Sequence, residues 1–167
     1  MWKYPDDNTR AVITAKEHIQ SGHNPQNLCL PQTAVLFYMH SGEEYLRQNY
    51  PTHLLCEKLP RFLRGCPVYQ FDLDNHFCFL AGGGGAPQAV DTLETLATLG
   101  VKTVVTVGMF GAFGENVNSG DIIIPNKAFV EEGTSLHYYD FIEYSVPSPS
   151  LYQRAVKEIT SAKSLPI

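Results

Sequence analysis

From residue 33 onward, apolar runs alternate with segments of helical spacing, a pattern that predicts strands and helices in turn. "TAVLFYM" at 33–39 is continuously apolar, bounded by Pro31 and by "HSGEE", and predicts a buried strand that turns into a helix over 43–49. "PVYQFDL" at 67–73 and "HFCFLAG" at 76–82 flank Asp74-Asn75, turn residues at hairpin spacing. Ala89, Val90, Leu93, Leu96 and Ala97 then recur with helical period and predict the packed face of a helix, with Asp91 and Glu94 on the wet one. Gly100 stands where a helix ends in a left-handed residue, and the β-branched "VKTVVTVG" predicts a central strand over 102–107. This is a βαβ unit. Strands 76–82 and 102–107 are expected to be parallel neighbours joined by a right-handed crossover, with a glycine cluster after each at the carboxyl edge of one sheet. Further on, "SGDIIIPNKAFVEEG" predicts a turn, a short strand ending at Pro125 and a second extended segment. "SPSLYQRAVKEITSAK" predicts a helix capped near Ser148–Ser150. The first 32 residues are polar and turn-rich: a short helix near 11–19, then a connector, an arm of the kind that contacts a neighbouring subunit.

Composition narrows the classes. At 167 residues, 44% hydrophobic and 17% charged, the chain has the material for one domain, 1–167, with its own core, and it lacks a disordered composition. The net charge of -5 is spread without acidic or basic blocks, so the footprint of a nucleic-acid binder is missing and a small polar or aromatic ligand fits better. Cys29, Cys56, Cys66 and Cys78 show no CxxC spacing, and "MWKYPDDNTR" is no secretory leader, which points to reduced thiols in a cytoplasmic protein. Cys78, inside an apolar strand, reads as a small packed hydrophobe. No stretch reaches the ~18 apolar residues that a membrane span requires.

The glycines raise the question of chemistry. In the dinucleotide pattern GxGxxG, Gly82 and Gly84 require a third glycine where Pro87 stands, and a shift by one residue puts Gln88 there. The P-loop pattern requires Gly-Lys-Ser/Thr, and no lysine follows until Lys102. Pro87 suits the first turn of a helix. Two readings stay open: the glycines permit a tight strand-to-helix turn, or they let the backbone approach a ligand closely.

"AGGGGAPQAVDTLETLATLGVKTVVTVGMFGAFGENVNSGDIIIP", extending into "EEGTSLHYY", resembles the core of the nucleoside phosphorylase family, and most closely its uridine phosphorylase-like branch. The resemblance implies an α/β fold: a three-layer sandwich of phosphorylase/hydrolase type with a mixed, largely parallel central sheet. Residues 33–167 would form its core, shortened at the C-terminus before the family's ribose-gripping Met-Glu pair and base-protonating acid. It implies cleavage of a nucleoside's N-glycosidic bond by phosphate or water, no cofactor or metal beyond phosphate as a possible co-substrate, and a homo-oligomer, a dimer or a trimer of dimers. The substrate-binding positions it implies are Gly42, Gly82, Gly83, Gly84, Thr106, Gly108, Met109, Phe110, Gly111 and His137; it assigns no catalytic residue.

Several of these positions depart from the family. A phosphate-holding arginine is replaced by Thr106 and a hydroxyl residue by Met109, and losing one charge-assisted bond weakens phosphate binding about 10- to 150-fold. After the first strand, the family's arginine falls on Glu44 or Leu46; Arg47 is a solvated helix residue or a relocated anion ligand, and Glu43 or Glu44 near the site would repel phosphate. Phe110 either stacks on a base or plugs the site, while His137 belongs to the rim, a subunit contact or the chemistry. Two functions follow: a glycosidic-bond enzyme tilted toward hydrolysis, or a catalytically silent nucleoside-binding or assembly module.

Overall fold

The structure, a computed structural model, describes residues 9–11, 13–23, 27–113 and 115–162. Residues 1–8, 12 and 24–26 of the expected arm lie outside the described residues, as do Gly114 and the chain past 162. Contacts divide the chain into two compact units, Met1–Met109 and Phe110–Ile167.

The first unit is built on a five-stranded sheet of β1 (Thr33–Tyr38), β2 (Thr52–Cys56), β3 (Val68–Phe71), β4 (Asp74–Ala81) and β5 (Thr103–Gly108), ordered β2-β3-β4-β1-β5. β1 pairs in parallel with both β4 and β5, while β2, β3 and β4 run antiparallel. The expected neighbours β4 and β5 are therefore parallel but not adjacent, because β1 lies between them. The reason is burial. Ala34 and Leu36 are 0% exposed, and an apolar strand of this kind needs a partner at each edge, which the long connection through α3 (Gly85–Thr98) leaves room for.

The hairpin forms two residues earlier than expected. Phe71 pairs with Asp74, so Asp72-Leu73 make the turn, and the Asp74 carboxylate accepts the His76 N–H at 2.9 Å where the register slips. β2 was not foreseen: "THLLC" is a short edge strand, without clean alternation, whose Leu54 is exposed.

Helix α3 also turns a different face inward. Thr92, Thr95 and Leu96 are its buried residues, whereas Leu93 is 41% exposed and Ala97 is exposed. A buried threonine costs little when its hydroxyl returns to its own backbone, as Thr92 does by donating to Gln88 O at 2.7 Å. Asp91, half-buried at the edge of the wet face, has a task there: its carboxylate accepts the N–H of Phe62 (3.0 Å) and Leu63 (2.8 Å) and ties that loop to the helix. Gly100 is left-handed as expected, at φ +104°.

Leu96 and Leu99 pack with Ala34, Leu36, Val68, Cys78 and Leu80 on one sheet face. α1 (Ala15–His18) joins that layer, started by a capping box between Thr14 and Glu17 and prolonged by a π-helical turn, Ile19–His23. The other face carries the rings of Tyr69, Phe71, Phe77 and Phe79, with α2 (Gly42–Asn49) set beside β1 and β4. The result is a three-layer α/β sandwich.

The second unit holds the antiparallel pair β6 (Ala128–Phe129) and β7 (Tyr144–Ser145), a 3-10 turn at Thr134–His137, and α4 (Pro149–Ala162). The strand expected to end at Pro125 does not form: Ile122 and Ile123 are 57% and 46% exposed, and β-branched residues become a strand only beside a neighbour that takes their hydrogen bonds. The extended segment after it is β6. None of the described residues from 110 to 162 is buried. Among the described residues, no helix is long and apolar enough to cross a membrane.

Candidate functional site at the carboxyl edge of the sheet

Parallel pairing places the ends of β1, β4 and β5 on one edge. Phe37 is in register with Ala81 and Tyr38 with Gly108, so Gly82 and Gly108 lie on either side of the β1 terminus, about two strand spacings or ~10 Å apart. Gly42 opens α2 just past the same terminus, and Gly83 and Gly84 continue the turn into α3. Thr106 sits two residues back on β5, opposite Leu36, and Met109 follows the strand with 78% exposure. Phe110, Gly111 and His137 belong to the second unit. There Phe110 is half exposed, Gly111 has open space where a Cβ would stand, and His137 closes the 3-10 turn that Glu132 caps through the N–H groups of Thr134 and Ser135.

The glycine turn is occupied by the chain's own side chains. A Cβ on Gly82 would collide with the Tyr38 ring, and one on Gly83, whose φ is +98°, would collide with Gln88. The Gly82 N–H donates to Phe37 O at 2.9 Å, and the Gly84 N–H donates to Gln88 Oε1 at 2.8 Å. Gln88 Nε2 in turn donates to Arg64 O at 3.2 Å, fastening the turn to the loop before β3.

Three ionisable side chains that were not among the expected site residues meet this edge. Glu43, in the first turn of α2, accepts a hydrogen bond from the Ala81 backbone, yet its Oε2 is buried without a partner. Burial pushes its carboxyl above the usual range, against the opposing pull of Arg47. Tyr38 is likewise raised by burial, with the Arg61 charge acting the other way. Arg61 is only 6% exposed; it donates from Nε to Arg64 O at 2.7 Å and from Nη1 to Thr92 Oγ1. The Cys66 thiol, raised chiefly by burial, feels both the Arg61 and Glu43 charges, which sets the two on one locality. The sequence signal for Glu43 was its place just after a buried strand. Arg61 gave none, because its burial depends on Thr92, thirty-one residues away.

Beside Glu43 opens a cleft of about 660 Å³ lined by His40, Glu43, Glu44, Arg47, Gln48, Thr52, Leu54 and Tyr69. This volume lies in the range of small-molecule sites. Arg47 lays its guanidinium 4.4 Å above the centre of the Tyr69 ring, so its charge is turned toward an aromatic face. Among the described residues, no three His, Cys, Asp or Glu side chains converge as a metal ligand set. The edge thus offers a carboxyl group with a free oxygen, a phenol and a guanidinium around one strand end.

A family model described as the phosphorylase superfamily matches residues 41–167, which contain Gly42, Glu43, Arg61, the glycine turn and α3. No curated protein matches the chain.

Proposed function

The chain belongs to the phosphorylase superfamily, and from that premise we propose that it cleaves the N-glycosidic bond of a nucleoside with water, in place of phosphate, as the acceptor. The observation that carries this reading is Glu43: a carboxyl with an unpartnered buried oxygen occupies the edge where a phosphate would require cations. Thr106 in the place of an arginine points the same way. A carboxylate repels a phosphate dianion but orders a neutral water, and a pKa raised by burial brings it closer to the operating pH of a general base.

In this mechanism the water oxygen bonds to C1′ as the C1′–N bond breaks and its electron pair leaves with the base. The water proton passes to the Glu43 carboxylate and on to solvent, and the departing base takes a proton from solvent. The sum is nucleoside plus water giving the free sugar, ribose or its 5-substituted form, plus base. Uridine, inosine and methylthioadenosine, each incubated with and without phosphate and assayed for free base, test it. Release is expected without phosphate and without acceleration by phosphate, and Glu43→Gln should slow it about 10²- to 10⁴-fold. Release that strictly requires phosphate refutes hydrolysis.

The silent binding module is favoured by a different observation, the filling of the glycine turn by Tyr38 and Gln88. Nucleoside binding without base release would establish it.

A further inference from the structure

Gln88 serves two backbone groups at once. Its Oε1 accepts the Gly84 N–H at 2.8 Å and its Nε2 donates to Arg64 O at 3.2 Å, so one carboxamide bridges the glycine turn and the loop before β3. Both partners are backbone, one able only to donate and the other only to accept, which fixes the orientation of the amide. Both bonds lie at the surface, where a molecule arriving from solvent can compete for them.

The donor and the acceptor are each anchored independently of Gln88. Arg64 O also accepts the Arg61 Nε proton at 2.7 Å, and the residues between them are tied to α3 through the Asp91 carboxylate, which takes the N–H groups of Phe62 and Leu63. On the other side, the Gly82 N–H on Phe37 O and the Tyr38 ring against Gly82 hold the turn. Gly83, at φ +98°, has the Gln88 side chain where its own Cβ would stand, so this glycine makes room for the amide. With Gln88 swung away, the edge presents an N–H and a C=O already set for the two ends of an O=C–N–H group. An anion does not suit the pair, because the Arg64 carbonyl oxygen would face it. The lactam edge of an oxo-base does: it carries the same acceptor and the same donor, in the same order, as the glutamine amide.

We propose that the Gly84 N–H and Arg64 O form the base-recognition pair of this chain, that they select a nucleobase with a lactam edge, and that Gln88 is an autoinhibitory stand-in for that edge. Resting on the nucleoside reading above, this pair adds to it the class of base. Gly84 lies three residues beyond Ala81, whose backbone Glu43 holds, a span of at most ~10 Å, so one nucleoside can reach both the pair and that carboxyl.

The test is nucleoside binding to the full chain carrying Glu43→Gln, in which turnover is not expected, followed calorimetrically. Inosine and uridine should bind about 5- to 150-fold more tightly than 1-methylinosine and 3-methyluridine, which keep the carbonyl but lose the donor and leave Arg64 O without a partner. Methylthioadenosine, whose base has no lactam, should bind worst of the three parent nucleosides. Gln88→Leu removes the stand-in and should tighten inosine or uridine binding about 2- to 13-fold for each hydrogen bond that no longer has to be broken. A glutamine that only caps α3 predicts weaker or unchanged binding instead. Should Gln88→Leu not fold, the side-chain amide proton resonances of Gln88 in the parent chain, which must shift on adding nucleoside, give the answer. Equal affinity for methylated and parent nucleosides, weaker or unchanged binding in Gln88→Leu, amide resonances indifferent to nucleoside, or no nucleoside binding at all overturns the proposal. Base release by the chain with Glu43 intact is read separately: its absence sinks the hydrolytic reading and leaves the recognition pair standing, while release without preference for the lactam does the reverse.

Discussion

Replacing Thr92 by valine changes one hydroxyl for a methyl group of nearly the same volume, at a position that is 0% exposed. No cavity opens, and the helix keeps its backbone bonds. What is lost is the oxygen that accepts Arg61 Nη1, together with the hydroxyl's own donation to Gln88 O. Among the described residues, Arg61 then retains only Arg64 O as a partner. A hydrogen bond to a buried charge contributes about 1.5–3 kcal/mol, and leaving that charge short of a partner costs the same order. Thr92→Val should therefore lose about 1.5–3 kcal/mol. At a urea m-value of ~2 kcal/mol/M, the unfolding midpoint falls by about 0.7–1.5 M. The cause is isolated by repeating the substitution in Arg61→Met, where no charge depends on the hydroxyl: there the loss should shrink to within about 0.5 kcal/mol, and the difference between backgrounds is the coupling energy. Equal losses in both backgrounds, or no loss in the first, would refute the picture of a buried guanidinium held by Thr92.

Glu43 and the cysteines give two further expectations. The Glu43 carboxyl is raised from 4.5, so the folded state holds its proton more tightly than the unfolded chain; this contribution to stability is complete below about 4.5 and is lost as pH rises through the folded-state value. Melting temperatures of wild type and Glu43→Gln measured across that range should diverge as pH rises, in favour of the variant, and a constant difference would contradict burial of the carboxyl. Burial pushes the Cys56 and Cys78 thiols up to about 11 and raises Cys66, while Cys29 is exposed. A thiol-specific chromogenic reagent at pH 8 should label one cysteine rapidly in the native protein and all four in denaturant, and fast reaction of a second native thiol would contradict the packing.

The elements that could be read from the sequence were those whose signal is local. β1, α2, α3 and α4 announce themselves through apolar runs, helical period and flanking glycine or proline, and Gly100 ends α3 because only a left-handed residue fits there. What escaped was decided by partners distant in the chain. The insertion of β1 between β4 and β5 depends on which strand most needs two neighbours, a comparison that no single window contains. The inward face of α3 was misjudged because Thr92 and Thr95 count as polar by type but not once the Thr92 hydroxyl is spent on the backbone. Ile122 and Ile123 have strand composition and no strand, for want of a neighbour. In the site, the glycines were legible as a turn, while Arg61 emerged only when folding set it beside Thr92.

The glycine turn itself changes meaning once its neighbours are known. A glycine-rich strand-to-helix turn suggests free backbone donors waiting for an anion. Here two of those donors are already used, Gly82 N–H by Phe37 O and Gly84 N–H by the Gln88 side chain, and the space a Cβ would fill at Gly82 belongs to Tyr38. A ligand that used the turn would have to displace Gln88 from Gly84, and that would also release its hold on Arg64 O. The unsatisfied polar groups at this edge are therefore side chains and not backbone, with Glu43 Oε2 buried without a partner and the Arg61 charge held by the neutral oxygens Arg64 O and Thr92 Oγ1. A carboxyl group and a guanidinium close to one strand end, without an ion pair between them, can hold two chemically different parts of one substrate. Had they formed a salt bridge, each would have cancelled the other's pull on a ligand.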